Sequence, residues 1–420
     1  MTPPVPPAAP HGLARRLGPL DATAIGLGSI LGAGVFAVFA PAAATAGAGL
    51  LVALVLAGFV AYCNATASAQ LAAVYPASGG TYVFGREVLG PWWGFAAGWG
   101  FVVGKTASCA AMALTFAAYV APGWERPVAL AAVAVLTVVN CFGITRTAAL
   151  TKVLLVVVLV VLLTAAAVSL PAAAPINWSN WAITGPLGVL QAAGLLFFAF
   201  AGYARIATLG EEVRDPAKTI PRAIMAALAG AILVYLLLGV TLLLVLGPDR
   251  LAASTTPLAD LVTAAGHPGV APVVRVGAAA ASLGALLALI TGIGRTTMAM
   301  ARNRDLPPFL AAVAARHGVP LRAEIAVGVL VCGLVLVGDL REVIGFSSFG
   351  VLVYYAVANA SAFRQPAAQR RWPRPLNLVG LTACLVLVAT LPTVSQLVGL
   401  AVFAVGLLGR LALTARATGS

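Results

Sequence analysis

Long apolar segments recur along the whole chain, and they constrain its fold more than any other feature. A helix needs about 20 predominantly apolar residues to cross a bilayer core of about 30 Å. Of the 420 residues, 61% are hydrophobic and 9% are charged, whereas soluble domains carry about 25% charged residues. The sequence therefore predicts an all-α integral membrane protein of about 12 transmembrane helices. These segments 1 to 12 lie at 21–45, 48–74, 91–120, 127–142, 147–170, 186–211, 220–246, 273–301, 323–338, 342–363, 376–392 and 395–413.

The Lys and Arg residues that give the chain its net charge of +13 are distributed unevenly between the two sides of the predicted segments. Most of the 25 Lys and Arg residues lie in loops or helix ends on one side of the segments, and the positive-inside rule places that side in the cytoplasm. We therefore expect a multi-pass protein of a bacterial-type cytoplasmic membrane with both termini inside. A nucleic-acid partner would require a basic stripe on a soluble face, and the short linkers leave no such domain.

Segment 1 contains closely spaced glycines, Gly28, Gly32 and Gly34. Each glycine weakens a helix interior by about 1 kcal/mol relative to alanine. One interpretation is a break at Gly32 to Gly34, whose free amides and positive helix end would bind a carboxylate. The carbonyls of Ser29 and Ile30 would then accept from an ammonium group. The alternative is close helix packing, for which small residues at four-residue spacing are typical.

Segment 6 contains a second candidate break within the run 194–204 (GLLFFAFAGYA), which the polar run 210–216 follows. Each of segments 1 and 6 opens a group of five, and paired interruptions at corresponding positions indicate a transporter site near the bilayer midplane. Among the aromatic residues here, Phe198 and Phe200 are the candidates for pocket or gate residues.

Several motifs resemble those of the amino acid–polyamine–organocation permeases. They are Gly28–Phe36 (GSILGAGVF), Phe197–Tyr203 (FFAFAGY), Glu211–Pro216 (EEVRDP) with Ile220–Ala223 (IPRA), Pro76–Tyr82 (PASGGTY), Ala299–Asn303 (AMARN) and the run Ser347–Asn359. The resemblance spans most of the chain.

The resemblance implies a LeuT-type arrangement, in which two inverted five-helix repeats are followed by two further helices. The expected organisation is a cytoplasmic tail (1–20), a first repeat (21–170), a second inverted repeat (171–363), segments 11 and 12 (364–415) and a short cytoplasmic tail (416–420). It also implies secondary transport of amino acids or related amines by alternating access. Import, export, symport and exchange all remain open.

The resemblance further implies which residues bind the substrate. Its carboxylate would meet the backbone of Gly32, Ala33 and Gly34, and its amine would meet carbonyls near the two breaks. The complete set of expected binding residues is Ser29, Ile30, Gly32, Ala33, Gly34, Lys105, Phe198, Ala199, Ala201 and Gly202, and the expected gate residues are Phe198, Phe200 and Arg205.

Lys105 is the ionisable residue that the sequence places near the middle of a segment. It lies about fourteen residues beyond Pro91, which is about 21 Å along a helix. An intramembrane charge marks a functional site by default. Many family members carry a mid-segment lysine in segment 5, where this chain has Val158. Since none of the twelve Asp and Glu residues falls in the middle of a segment, Lys105 is the candidate proton carrier if transport is coupled to protons. Contact with the substrate is the other interpretation, and snorkelling to an interface is a third.

Other functions are less consistent with the sequence. Sodium coupling ranks below proton coupling and plain exchange, because segment 8 offers no central pair of hydroxyls. The three histidines lie in tails or loops without a nearby nucleophile or metal-ligand spacing. We therefore expect that the protein is not an enzyme, has no catalytic residue and binds no metal or cofactor. The expected partners are a small amino acid or amine, the lipid bilayer and a coupling proton.

Overall fold

The computed structural model describes residues 17–75, 79–143, 148–173, 184–209, 212–314 and 318–418. The predicted tail before residue 17, Pro76 to Ser78 of the loop motif, Glu211 and the last two residues lie outside these ranges. The α-helices, numbered in chain order, are α1 (Pro19–Ile30), α2 (Gly34–Ala37), α3 (Phe39–Ala46), α4 (Leu50–Val74), α5 (Thr81–Leu89), α6 (Pro91–Val120), α7 (Glu125–Cys141), α8 (Ala148–Ser169), α9 (Gly185–Phe200), α10 (Ala204–Ala207), α11 (Pro216–Ala253), α12 (Pro257–Ala264), α13 (Ala271–Arg302), α14 (Leu321–Val337), α15 (Leu340–Arg364), α16 (Arg374–Thr390) and α17 (Thr393–Thr418).

The described residues form an all-helical protein, as predicted, with one isolated bridge between Leu17 and Val213. Within them, nine helical stretches are long and apolar enough to cross a membrane. The helices that correspond to segments 4, 9 and 11 (α7, α14 and α16) have 17 residues each and are not among the nine. The count of twelve crossings and the inverted repeats therefore stay predictions.

The two predicted interruptions are present in the structure. Segment 1 is divided into α1, α2 and α3, and segment 6 into α9, a short 3₁₀ turn (Ala201–Tyr203) and α10. Segment 7 bends where its prediction ends, since Gly247 has a φ of 74° and is followed by Pro248. The short helices α5 and α12 were not predicted, because both lie outside the long apolar runs.

The helices pack as two groups that enclose the site. In the first group α1, α3, α4, α9 and α11 pack against one another. In the second group α6, α7, α13 and α14 do so. Helix α15 packs along α6 and α4, and α8 packs against α1 and α13. Both interrupted segments belong to the first group, so their breaks face α6 and α13 of the second.

Candidate substrate site

The break in segment 1 leaves backbone groups outside any helix. Helix α1 ends at Ile30, and α2 begins at Gly34. The amides of Gly32 and Ala33 donate to no acceptor among the described residues. A Cβ atom at Gly34 would stand 2.9 Å from the Cα of Ala199. The glycines therefore allow close packing as well as the break, and carboxylate binding at the break stays a prediction.

The break in segment 6 lies directly against that in segment 1. A Cβ atom at Gly202 would overlap the backbone oxygen and carbon of Ser29, so only glycine allows this crossing. The hydroxyl of Tyr235, on α11, donates to the carbonyl of Ile30 at 2.8 Å and lies 3.0 Å from that of Ala199. Tyr235 thereby joins the two breaks through buried hydrogen bonds.

A cavity of about 380 Å³ lies where the breaks face the second helix group. Its walls come from α1, α2, α5, α6, α9, α10 and α13 and from the turn between α9 and α10. At its deep end it is lined by Ser29, Ile30, Gly32, Gly34, Phe101, Lys105, Ser108, Met112, Phe198, Ala199, Ala201, Gly202, Ala285, Ala288, Leu289 and Gly292. The structure thus brings nearly all of the predicted binding residues to one cavity; their roles in binding stay predictions.

Two predicted residues lie outside the lining. Ala33 is fully buried, although its amide belongs to the break. Phe200 is also fully buried and packs against Tyr235, with ring centroids 5.0 Å apart. Phe198 does line the cavity. Two positions apart on α9, these phenylalanines point to different sides of the helix.

Lys105 contacts the break in segment 6. Its Nζ atom donates to the carbonyl of Ala201 at 3.2 Å, and 6% of the residue is exposed. The hydroxyl of Tyr355 lies 3.5 Å from the same carbonyl. Lys105 therefore lies at the cavity wall and is held at the break, an arrangement that differs from a side chain extended toward the membrane surface.

The cavity is closed at one end and continues toward the other. At the closed end the Tyr119 hydroxyl donates to the carbonyl of Phe36 at 3.1 Å and accepts from the amide of Leu258 at 3.3 Å. Beyond this contact lies a separate depression of about 800 Å³, whose lining includes Arg126 and Asp339. The opposite end of the cavity is lined by Gly79, Tyr82, Arg205, Thr208, Glu212, Arg295 and Arg302.

Sequence reasoning missed two buried residues, one that joins the breaks and one on α14 that packs against α13. Tyr235 lies within a long apolar helix, where a single hydroxyl is its only signal. Glu324, in the first turn of α14, is fully buried against Gly294, and its carboxylate oxygens have no hydrogen-bond partner among the described residues. Its signal in the sequence is a carboxylate just inside predicted segment 9 (323–338). No group of three or more His, Cys, Asp or Glu in the described ranges could hold a metal ion.

A family model described as "Amino acid permease" matches residues 17–409, nearly the whole chain. The chain belongs to the amino acid permease family. It is 57% identical over 399 residues to an uncharacterized transporter of Mycobacterium tuberculosis, covering 94% of this chain and 91% of that protein.

Two more distant relatives of this permease have names that state a substrate class. The branched-chain amino acid permease of Bacillus subtilis is 26% identical over 373 residues, which cover 82% of this chain and 80% of that one. The vacuolar cationic amino acid transporter 4 of Arabidopsis thaliana is 27% identical over 374 residues, covering 82% and 62% respectively. Together with the apolar helices, the family identifies a multi-pass membrane transporter.

Proposed function

We propose that this permease is a secondary active transporter that moves amino acids or related amines across a bacterial cytoplasmic membrane by alternating access. The observation that carries the proposal is the cavity between the two helix breaks, which is closed on one side by the Tyr119 contacts and extends toward the other. The proposal assigns no catalytic step to the protein.

The substrate carboxylate binds the amides of Gly32 and Ala33 at the segment 1 break. These amides lack acceptors among the described residues, and an unpaired buried N–H group costs free energy that a bound carboxylate recovers. The amine binds carbonyls at the adjoining helix ends, those of Ser29 and Phe198. Phe198 acts as a gate residue beside the breaks, and Arg205 acts as one at the end of the cavity that Arg302 lines.

The two helix groups supply the moving parts. Separation of the Phe36–Tyr119 contact opens the closed end, and approach of α10 to α13 closes the other. We assign the end with Arg302 to the cytoplasm, as the distribution of Lys and Arg predicts, and with that orientation the proposed conformation is inward-facing. The same geometry serves import, export and exchange, and an amino acid exporter or antiporter is the alternative within this proposal.

Coupling to protons or exchange is favoured over coupling to sodium. At the contact between segments 1 and 8, a Cβ atom at Gly32 would lie 3.1 Å from the Cβ of Ala285, and neither residue offers a hydroxyl ligand. Hard cations such as sodium require several oxygen ligands together. Lys105 is the ionisable side chain that lies at the break itself.

Uptake by the purified protein in proteoliposomes tests the function. We expect saturable uptake or exchange of at least one amino acid or amine from a radiolabelled panel, with proton and sodium gradients imposed separately. Protein-free liposomes are the control. Failure to move any amino acid or amine under any gradient, while another class of solute is transported, would contradict the proposal.

A further inference from the structure

The ammonium of Lys105 has hydrogen-bonding capacity that the protein does not use. A lysine ammonium carries three N–H donors. Among the described residues, the carbonyl of Ala201 is the one acceptor of Lys105, and Lys105 forms no salt bridge there. The side chain lines the cavity and is 6% exposed. Two donors of a buried cation therefore remain for a ligand at this point.

Carbonyls at the helix breaks already have donors from the protein: Lys105 donates to that of Ala201, and the single hydroxyl hydrogen of Tyr235 serves that of Ile30. An ammonium group of a substrate placed beside Lys105 would compete with it for the Ala201 carbonyl and would be repelled by a like charge. The position next to Lys105 therefore suits an acidic group of the substrate.

The cavity as a whole is cationic. Its described lining carries Lys105, Arg205, Arg295 and Arg302 against the single carboxylate of Glu212. Arg302 lies at the end of α13, where the positive-inside rule accounts for it. That rule does not account for Lys105, which contacts the helix break. A cavity lined by one sign of charge concentrates ligands of the opposite sign.

We propose that the cavity selects acidic amino acids, whose second carboxylate binds the ammonium of Lys105. This inference rests on the proposed function and specifies its substrate class. The α-carboxylate occupies the Gly32 and Ala33 amides, the amine lies toward Ser29 and Phe198, and the side-chain carboxylate reaches the two remaining donors of Lys105. A neutral amino acid fills the first two positions and leaves the Lys105 donors unpaired.

Matched pairs of substrates test the inference in proteoliposomes. Glutamate and glutamine, like aspartate and asparagine, have nearly the same size and differ in one negative charge. A charge-assisted hydrogen bond contributes about 1.5–3 kcal/mol, so we expect wild-type kcat/KM for uptake to favour each acid over its amide about 10- to 150-fold. Lys105→Gln is expected to remove most of this preference and to change glutamine uptake far less.

Two further variants separate binding from a structural role. Arg275→Gln removes an exposed cation on the same helix as Arg295, outside the cavity lining, and should leave the preference unchanged. Lys105→Arg retains the charge and should retain the preference, and it replaces Lys105→Gln as the test should that variant fail to fold. If the role of Lys105 were purely structural, Lys105→Gln would lower the uptake of each acid and of its amide by the same factor.

The outcomes separate this inference from the proposed function. Saturable uptake of amino acids without preference for an acid over its amide overturns the substrate class and leaves the transporter proposal intact. An acid preference that Lys105→Gln leaves unchanged overturns the role of Lys105. Absence of uptake for every amino acid and amine overturns the proposed function, and the substrate class with it.

Discussion

Gly202→Ala is expected to reduce transport at least about tenfold, because it would force apart the two helix breaks that form the cavity. The added Cβ atom would overlap the backbone oxygen and carbon of Ser29. Backbone atoms cannot rotate away as a flexible side chain can, and overpacking a close contact costs about 1–3 kcal/mol or more. Initial rates of uptake into proteoliposomes, normalised to reconstituted protein, measure the effect.

Gly292→Ala is the matched control for this prediction. Gly292 lines the same cavity from α13, and a Cβ atom there would have no heavy atom within 4 Å. Alanine also has the higher helix propensity, by about 1 kcal/mol. We expect near wild-type uptake by this variant. Equal uptake by Gly202→Ala and Gly292→Ala would show that the close crossing of segments 1 and 6 has no role in transport.

Asp305→Asn is expected to lower the thermal stability of the folded protein strongly. Asp305 is 3% exposed and binds two cations: its Oδ2 atom lies 2.8 Å from Arg86, and its Oδ1 atom lies 2.9 Å from Arg410. Tyr82 also donates to Oδ2 at 2.8 Å. The cluster joins α5, the loop after α13 and α17 at one end of the bundle.

Removing this charge leaves two arginines close together without their shared carboxylate. Arg410 is 5% exposed and Arg86 is 26% exposed, and removing one partner of a buried ion pair costs about 3–5 kcal/mol. We expect a lower Tm for Asp305→Asn in detergent than for the wild type. Asp249→Asn is the control, since Asp249 is exposed and has no salt bridge among the described residues. Equal Tm values for the two variants would contradict this prediction.

The parts of the site that could be predicted from the sequence are those where function requires an unusual residue. Glycines in a membrane helix predicted the break of segment 1, and α1 indeed ends at Ile30 before α2 begins at Gly34. A lysine deep in segment 3 predicted a position at the cavity, and Lys105 contacts the second break; its function stays a prediction. The all-helical fold followed from the apolar runs.

The remaining parts depend on which helix faces meet. Tyr235 joins the breaks, yet it lies in an apolar helix whose orientation the sequence does not specify. The α13 wall consists of small residues such as Ala285 and Gly292. In a sequence, small residues are equally typical of a helix-packing interface and of a cavity wall. The sequence does not show which of Phe198 and Phe200 lines the cavity, because only tertiary contacts determine which side of α9 faces it.

The most direct measurement of the central claim is a cryo-electron microscopy structure of the permease with its best transported amino acid bound. Density for the substrate is expected in the cavity between the two breaks, with its carboxylate within hydrogen-bonding distance of the amides of Gly32 and Ala33. Density elsewhere, for example in the depression near Arg126 and Asp339, with this cavity free of substrate, would contradict the account.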